Sequence, residues 1–252
     1  MKALLWLVGL ALLLTGCASE KIIDKEGYQL DTRHRAQAAY PRIKVPVIHY
    51  TAENFDVSLA TLTGRNVSSH YLIPATPPLY GGKPRIWQLV PEQDQAWHAG
   101  VSFWRGATRL NDTSIGIELE NRGWRMSGGV KSFAPFESAQ IQALIPLAKD
   151  IIARYDIKPQ NVVAHADIAP QRKDDPGPRF PWRELAAQVG AARRVALAGR
   201  AMPVDSNDMT AREQQRVIMA FQMHFRPAQW NGIADAETQA IAEALLEKYG
   251  RD

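Results

Sequence analysis

Five short segments rich in Ile, Val, Leu and Tyr restrict the fold of this 252-residue chain more than any other feature. Turn residues such as Pro77-Pro78 and Gly81-Gly82 lie between them. β-Branched and aromatic residues in short runs bounded by turns are typical of strands. Pro46 lies inside the first run, which predicts an edge position or a bulge for that strand. The predicted strands span residues 43–49, 69–73, 85–90, 114–119 and 161–165.

Apolar residues recur at helical spacing over residues 137–155, which predicts the clearest helix of the chain. Pro146 lies inside this stretch but off its apolar stripe, so we expect a kinked helix rather than two separate ones. Shorter helices are predicted over residues 55–63 and from Trp182 to Gln188. These strands and helices predict an α/β fold, with a central mixed β-sheet flanked by helices.

The C-terminal part of the chain carries helical patterns alone. Thr210 and Glu213 have the spacing of a capping box, and Asp235 is placed to cap a last helix that ends near Gly250. We predict a small C-terminal all-α module over residues 191–252, which is too short to bury a large core by itself.

The composition excludes several classes of protein. With 46% hydrophobic and 22% charged residues, the chain is neither disordered nor a multi-span membrane protein. Its 30 basic and 26 acidic residues leave a net charge of +4, which is a mild excess that suits an anionic partner. No basic helix or patch stands out, so we predict no nucleic-acid binding.

The N-terminus has the pattern of a targeting segment. Lys2 precedes an apolar run over residues 3–14 that only Gly9 interrupts. A helix of that length rises about 18 Å, which is too short for a hydrocarbon core about 30 Å thick. We therefore predict the apolar core of a signal peptide rather than a membrane span.

The segment Leu14-Thr15-Gly16-Cys17 resembles a bacterial lipobox. The resemblance implies a signal peptide over residues 1–16, a lipid (palmitate) on Cys17, and a tether over residues 17–35. Ala18 after the cysteine implies an outer-membrane anchor, with the protein facing the periplasm. The alternative is an ordinary signal peptide with a chance cysteine. Since the chain has one cysteine, no intramolecular disulfide can form.

Two of the six histidines, His49 and His165, end predicted strands at the point where a loop begins. Strand ends hold a side chain rigidly while exposing it, which favours function. Asp175 follows in the loop after His165. Two imidazoles and one carboxylate are a suitable ligand set for catalytic zinc, with the fourth position left for water. The spacing alone is a weak signal, and two ordinary strand-end histidines are the alternative.

Glu118 and Lys173 are further candidates for chemistry. Period-two alternation places Glu118 on the same sheet face as Gly116, where the missing side chain would leave room for a substrate. The alternative is a solvated sheet face. Lys173 precedes Asp175 by two positions, so in an extended loop both side chains point to the same side and a cation would lie near the metal. A solvated loop lysine is the alternative.

Several segments occur together, in this order, in one known family. They are Val47–Thr51, Ala96–Gly100, Ser114–Glu118, Val163–Asp167, Lys173–Pro178 and Phe180–Trp182. With them the chain resembles the zinc-dependent N-acetylmuramoyl-L-alanine amidases of the type-2 family, which also includes bacteriophage lysozyme-amidases and animal peptidoglycan recognition proteins. The resemblance implies that residues 36–190 form a zinc amidase domain.

The resemblance also implies a role for each site residue. One Zn²⁺ per chain would be held by His49, His165 and Asp175, and the pattern Lys-x-Asp-Pro-Gly selects Asp175 over Asp174. Glu118 matches the catalytic acid/base, and Lys173 matches the residue that stabilises the transition state. The positions near the substrate groove are Tyr50, Thr51, Trp97 and His98.

The implied reaction is hydrolysis of the amide between the lactyl group of N-acetylmuramic acid and L-alanine of the peptidoglycan stem peptide. Non-catalytic recognition proteins of the family lack the third metal ligand, so Asp175 favours an enzyme. The alternatives are a peptidoglycan-binding recognition protein without turnover and a zinc peptidase that cuts within the stem peptide.

The C-terminal module resembles a helical peptidoglycan-binding module at Gly232-Ile233 and Thr238. Asp235 stands where that motif usually has a second glycine, and only two long helical patterns are present instead of three. A truncated module that only packs on the amidase domain is the alternative to independent wall binding.

Overall fold

The computed structural model describes residues 22–34, 36–189 and 209–249. The predicted signal peptide, Cys17 with the start of the tether, and residues 191–208 of the predicted module lie outside the described residues. Among the residues that are described, no helix is long and apolar enough to cross a membrane.

The chain divides into two units, with the boundary between Tyr40 and Pro41. The described part of the first unit contains an antiparallel hairpin, β1 (Ile22–Lys25) and β2 (Tyr28–Asp31), whose side chains are nearly all exposed. This hairpin lies in the predicted tether, where the polar sequence shows no lasting periodicity that would indicate strands.

The second unit contains a five-stranded sheet, small two-stranded hairpins and α-helices. Its strands are β3 (Val45–Tyr50), β4 (Tyr71–Ile73), β5 (Leu79–Tyr80), β6 (Lys83–Pro84), β7 (Trp87–Gln88), β8 (Phe103–Trp104), β9 (Ala107–Thr108), β10 (Ser114–Leu119), β11 (Trp124–Ser127), β12 (Val130–Phe133) and β13 (Val163–Ala164). Its α-helices are α1 (Phe55–Leu62), α2 (Ser138–Tyr155), α3 (His165–Ile168), α4 (Trp182–Gln188), α5 (Ala211–Phe225) and α6 (Ala236–Tyr249). Short 3₁₀ turns lie at Leu110–Asp112 and Pro159–Asn161.

The central sheet has the strand order β13-β3-β10-β4-β7. The first four strands are parallel, and β7 is antiparallel to β4 at one edge. This confirms the predicted mixed sheet flanked by helices. Because parallel strands end at the same edge of a sheet, the carboxyl ends of β3, β10 and β13 lie side by side, which is where open α/β sheets bind ligands.

Each face of the sheet is covered by apolar side chains. On β10, Ile115, Ile117 and Leu119 are fully buried in the main core, together with Ile141 and Leu144 of α2. On the opposite face, the alternate residues of β3 join a second, smaller cluster that includes the 3₁₀ turn and α3. Burial on both faces explains why these strands are nearly continuous apolar runs in the sequence.

The strand that contains Pro46 is not at an edge, since β3 pairs with β10 on one side and with β13 on the other. The predicted edge position is therefore wrong, and the unbroken register of β3 with β10 shows no bulge at Pro46 either. The pairing of β13 with β3 covers only Val47 and Ile48, so the neighbouring strand on that side does not reach Pro46. A residue without an N–H is tolerated at such a place because no ladder bond is expected there.

The long helix agrees with its prediction, because α2 continues through Pro146 and ends at Tyr155. Its C-terminal cap, Asp156, adopts the left-handed conformation with φ 50°, and its N–H donates to the carbonyl of Ile152. Both ends of α4 lie where the sequence predicts them.

The described part of the C-terminal module consists of α5 and α6. The capping box is present, since the Thr210 N–H donates to Glu213 Oε2 over 2.9 Å and the Glu213 N–H donates to Thr210 Oγ1 over 3.3 Å. Ala220 and Met223 of α5 are buried in the main core of the α/β domain. α5 therefore shares the core of the α/β part of the chain, as the small size of the predicted module requires.

Candidate metal and catalytic site

The carboxyl edge of the sheet places the first two candidate residues side by side. His49 on β3 pairs in register with Glu118 on β10, so the two side chains leave the same face of neighbouring strands. The alternation of β10 that predicts this face for Glu118 is confirmed, because Ile115, Ile117 and Leu119 are buried on the other face.

His165 follows β13 directly and is the first residue of the short helix α3. The expectation that His165 ends a strand is thus wrong by one position, although the side chain still leaves the sheet at the same edge. Asp175 lies in the loop after α3, and its carbonyl accepts a hydrogen bond from the Ala166 N–H over 2.9 Å. This bond returns the loop to the start of α3 and brings Asp175 beside His165.

Three side-chain atoms converge at this edge. The Nδ1 atoms of His49 and His165 are 2.9 Å apart, and each lies close to Oδ2 of Asp175, at 3.1 Å and 3.0 Å respectively. All three side chains are buried. Within the described ranges, this is the group of His, Cys, Asp or Glu side chains arranged to hold a metal ion.

The donor set fits a small divalent cation. Ligand atoms held 2.0–2.1 Å from a tetrahedral metal are about 3.3 Å apart, which is close to the separations found here. Two imidazole nitrogens and one carboxylate oxygen are also the ligand types that a catalytic zinc site uses when it keeps one position open. The residues present are therefore able to bind a metal ion.

The electrostatics favour the protonation states that metal binding requires. Burial, followed by the charge of His165, lowers the pKa of His49 to about 4, so the imidazole is neutral. Burial by itself would raise the pKa of Asp175, but the nearby imidazoles of His165 and His49 hold it well below its usual range. Neutral imidazole and ionised carboxylate are the forms that coordinate a metal.

Glu118 is in a different state from Asp175. Burial, followed by the negative charge of Asp175, raises the pKa of the Glu118 carboxyl to about 8, and Lys173 opposes this shift. Its Oε2 atom is buried and has no hydrogen-bond partner among the described residues. A carboxyl group that has a raised pKa and an oxygen without a hydrogen-bond partner is suited to accept and return a proton near neutral pH.

An open cleft of about 410 Å³ lies over these groups. The structure brings all nine predicted metal, catalytic and substrate-binding residues to this one cleft. They are His49, Tyr50, Thr51, Trp97, His98, Glu118, His165, Lys173 and Asp175. Trp97 stands out because 63% of its surface is exposed at the cleft.

The space beside Gly116 is not open to a substrate, contrary to the expectation from the sequence. The ring of His98 fills it, and a Cβ atom built on Gly116 would lie only 2.5 Å from the His98 Cγ atom. The glycine is needed at this position so that His98 can pack against the sheet beside His49.

The sequence reasoning missed several residues that support the site, among them Asn111, Ser114, Arg172 and Asp167. The side-chain oxygen of Asn111 accepts hydrogen bonds from the backbone N–H groups of His98 and Ala99, which lie 13 and 12 positions earlier in the chain. Arg172 donates to the carbonyls of Ala99 and Val101, which are far away in sequence, and no local pattern indicates such a contact.

The model of the N-acetylmuramoyl-L-alanine amidase family matches residues 39–178. The chain therefore belongs to the N-acetylmuramoyl-L-alanine amidase family, which confirms the resemblance found in the sequence. It is 73% identical to the N-acetylmuramoyl-L-alanine amidase AmiD of Escherichia coli (strain K12), over the whole of both chains.

Two solved structures match the fold of this chain over most of its length. A complex of E. coli AmiD with anhydro-N-acetylmuramic acid-L-Ala-D-γ-Glu-L-Lys has a TM-score of 0.83 and 73% identity, covering 92% of this chain and 99% of that one. AmpDh3 of Pseudomonas aeruginosa has a TM-score of 0.75 and 39% identity, covering 90% of this chain and 98% of that one. The protein is accordingly an enzyme, a hydrolase of the amidase class, and the reading as a recognition protein without turnover is not supported.

Proposed function

We propose that this enzyme hydrolyses the amide between the lactyl group of N-acetylmuramic acid and L-alanine of the stem peptide, in peptidoglycan or in muropeptides derived from it. The observation that carries the proposal is the convergence of His49, His165 and Asp175 beside the unpartnered carboxyl group of Glu118. The substrate named for the similar E. coli enzyme contains this amide bond, which supports the assignment.

The group held by the three ligands is proposed to be one Zn²⁺ per chain. When bound, zinc acts as a Lewis acid and lowers the pKa of a water molecule to about 7. The chain contributes two of the three ligands in the protonation states that metal binding requires. The buried imidazole of His49 is neutral and Asp175 is ionised.

Glu118 is the proposed general acid/base. Its carboxylate takes a proton from the attacking water and then gives that proton to the nitrogen of the leaving L-alanine. The raised pKa allows both steps near neutral pH, because the carboxyl group neither holds nor loses the proton completely. The position of Glu118 in register with His49 puts its carboxyl group next to the metal ligands.

Lys173 is proposed to stabilise the negative charge that develops on the oxygen of the tetrahedral intermediate. Its side chain lines the cleft two residues before Asp175. Tyr50, Thr51 and Trp97 are proposed to bind substrate, and the exposed indole of Trp97 offers a flat surface on which a sugar ring can stack.

The enzyme is proposed to act in the cell envelope as an outer-membrane lipoprotein facing the periplasm, anchored by a lipid (palmitate) on Cys17. The lipobox-like segment before Cys17 and the location of peptidoglycan support this. We further propose a division into a signal peptide (1–16), a lipidated cysteine and tether (17–35), a zinc amidase domain (36–190) and a helical peptidoglycan-binding-like module (191–252).

The test uses the purified enzyme without its signal peptide and anhydro-N-acetylmuramic acid tripeptide as the substrate. Mass spectrometry of the products should show the intact tripeptide and the free sugar. A chelator should abolish release, and stoichiometric Zn²⁺ should restore it. Fragments cut within the peptide would favour a zinc peptidase, and release that a chelator leaves unchanged would contradict the metal mechanism.

A further inference from the structure

We propose that the dipeptide His98-Ala99 fixes the orientation of both histidine ligands, so that His98 is a positioning residue of the metal site rather than a substrate contact. The proposal rests on the metal site described under the proposed function. It departs from the expectation that His98 belongs to the substrate groove, although its ring does line one wall of the cleft.

Both imidazoles turn their second nitrogen towards this dipeptide. Nε2 of His49 lies 2.9 Å from Nδ1 of His98, and Nε2 of His165 lies 3.2 Å from the carbonyl oxygen of Ala99. Consecutive residues of one segment therefore meet both rings from the side opposite the ligand atoms. Such partners fix the ring orientation and the tautomer of a metal-binding histidine.

The hydrogen bonds from His49 form a chain with only one possible direction. Its far end is the carbonyl of Leu110, which can only accept, so the hydroxyl of Ser114 must donate to it. The same hydroxyl oxygen lies 3.1 Å from Nε2 of His98 and must then accept a proton from it. A neutral imidazole has one donor and one acceptor nitrogen, so neutral His98 is left with a lone pair on Nδ1.

That lone pair determines the state of the metal ligand. Because His98 Nδ1 can only accept, the proton of His49 lies on Nε2, and Nδ1 of His49 keeps its own lone pair. Nδ1 is the atom that faces His165 and Asp175 in the ligand triangle. The chain from Leu110 therefore selects the one neutral tautomer of His49 that can bind a metal through this atom.

The dipeptide is itself held in place from two sides. The Asn111 side-chain oxygen accepts from the backbone N–H groups of His98 and Ala99, over 3.2 Å and 2.8 Å. Arg172 donates to the carbonyl of Ala99 and, over 2.8 Å, to the carbonyl of Val101. Together with the glycine that admits the His98 ring at the sheet, these contacts leave the segment little freedom.

A direct role of His98 in substrate binding has less support, because both ring nitrogens already have partners within the protein. The two roles predict different measurements. A positioning residue changes the affinity for zinc, whereas a substrate contact changes KM while the affinity for zinc stays the same.

The test measures the zinc dissociation constant of the metal-free enzyme by competition with a chromophoric chelator. His98→Leu leaves the Nε2 proton of His49 buried without an acceptor, and we expect zinc affinity to fall about 10–100-fold. His98→Asn keeps an acceptor oxygen and should restore most of that loss. Val101→Ala, an exposed neighbour in the same segment, is the matched control and should bind zinc like the wild type.

At saturating zinc, KM for the muropeptide should stay near the wild-type value in both His98 variants. Unchanged zinc affinity in His98→Leu, or a raised KM with normal zinc affinity, would overturn the proposal. If His98→Leu does not fold, Ser114→Ala breaks the same chain one step away and should weaken zinc binding in the same direction. If the wild-type enzyme itself binds no zinc, the metal site fails, which is a separate outcome.

Discussion

The two sides of the cleft are held in place by different means. The strand side consists of β3 and β10 with His49 and Glu118, and these two strands pair along their whole length of six residues each. Further strands flank the pair on both sides. Backbone ladder bonds and burial on two faces therefore position His49 and Glu118.

The loop side consists of residues 165–175, which carry His165, Lys173 and Asp175. It begins after a strand of only two residues. No ladder extends along it, so its shape depends on its own turn hydrogen bonds, such as the one from the Ala166 N–H to the Asp175 carbonyl, and on contacts with other parts of the fold.

Asp167 is central to those contacts. One of its carboxylate oxygens accepts the Ala164 N–H over 2.7 Å and also lies 2.7 Å from Nδ1 of His224 on α5. Asp174 in the same segment pairs with Lys131 at 2.6 Å and lies 3.6 Å from Arg216, which is again on α5.

The difference shows what the C-terminal helix contributes. The strand side is complete within the α/β domain, whereas the loop side needs α5 against it. We therefore expect changes on the strand side to act on the site directly, and changes in α5 to act on the site indirectly, through residues 165–175.

The largest effect is expected for Glu118→Gln on the strand side. The variant removes the proton acceptor but keeps the size and the backbone pairing, so kcat should fall about 10²–10⁴-fold. Zinc affinity should stay at the wild-type value, as measured by chelator competition. Turnover at the wild-type rate would show that Glu118 is not the general acid/base.

On the loop side, Lys173→Ala should lower kcat about 10²–10³-fold, because a positive charge near the developing oxyanion is lost. Lys173→Arg keeps the charge and should recover part of the rate. Steady-state kinetics at saturating zinc measure both. An equal loss of kcat in the two variants would indicate that the rate depends on the exact geometry of the lysine side chain rather than on its charge.

A smaller effect is expected when one contact between α5 and the loop side is removed by His224→Phe. The variant keeps a ring that can stack on Trp182, where the centroids are now 3.9 Å apart, but it removes the partner of Asp167. Loss of a hydrogen bond to a buried carboxylate should cost about 1–3 kcal/mol of unfolding free energy. Zinc affinity should weaken several-fold while the strand side is unchanged.

Arg212→Ala is the matched control for this experiment, since Arg212 is an exposed residue on the same helix. It should change neither stability nor zinc affinity. If His224→Phe weakens stability but not zinc binding, α5 supports the fold without supporting the metal site.

The strand side could be predicted from the sequence because its information is local. Alternation of apolar residues assigned Glu118 to a face, and the position of His49 in a β-branched run placed it near the strand end. The mixed sheet and the helices α2 and α4 follow from patterns of the same kind.

The features that the sequence does not predict depend on contacts between residues that are distant in the chain. The pattern around Gly116 indicates a missing side chain but not that His98 occupies the space. Likewise, nothing near Asp167 in the sequence indicates that His224 pairs with it. Pro46 predicts an edge position or a bulge because residue propensity takes no account of how short the neighbouring strand is.

The pH dependence of stability should distinguish the strand side of the cleft from the loop side in the metal-free enzyme. Burial raises the pKa of the Glu118 carboxyl from 4.5 in the free side chain to about 8 in the folded protein. The folded state thus favours the protonated form, and ionisation of Glu118 costs stability as the pH rises from 4.5 to about 8. Removing the group should relieve this cost.

The difference in Tm between Glu118→Gln and wild type should therefore grow between pH 4.5 and 8 and then level off, reaching a few degrees. On the loop side, Asp175 has the opposite sign, because its lowered pKa adds stability that is lost only in acid, as the pH falls below its usual range. The lowered pKa of His49 reduces stability only below pH 6.5, where the unfolded chain takes up a proton that the folded protein does not. Thermal unfolding at pH 6.5 and 8.5 thus isolates Glu118, and bound zinc, which favours the carboxylate, should shrink the difference. A Tm difference that does not change with pH would mean that the Glu118 carboxyl titrates normally, and the strand side would then lack the proton affinity that the proposed mechanism uses.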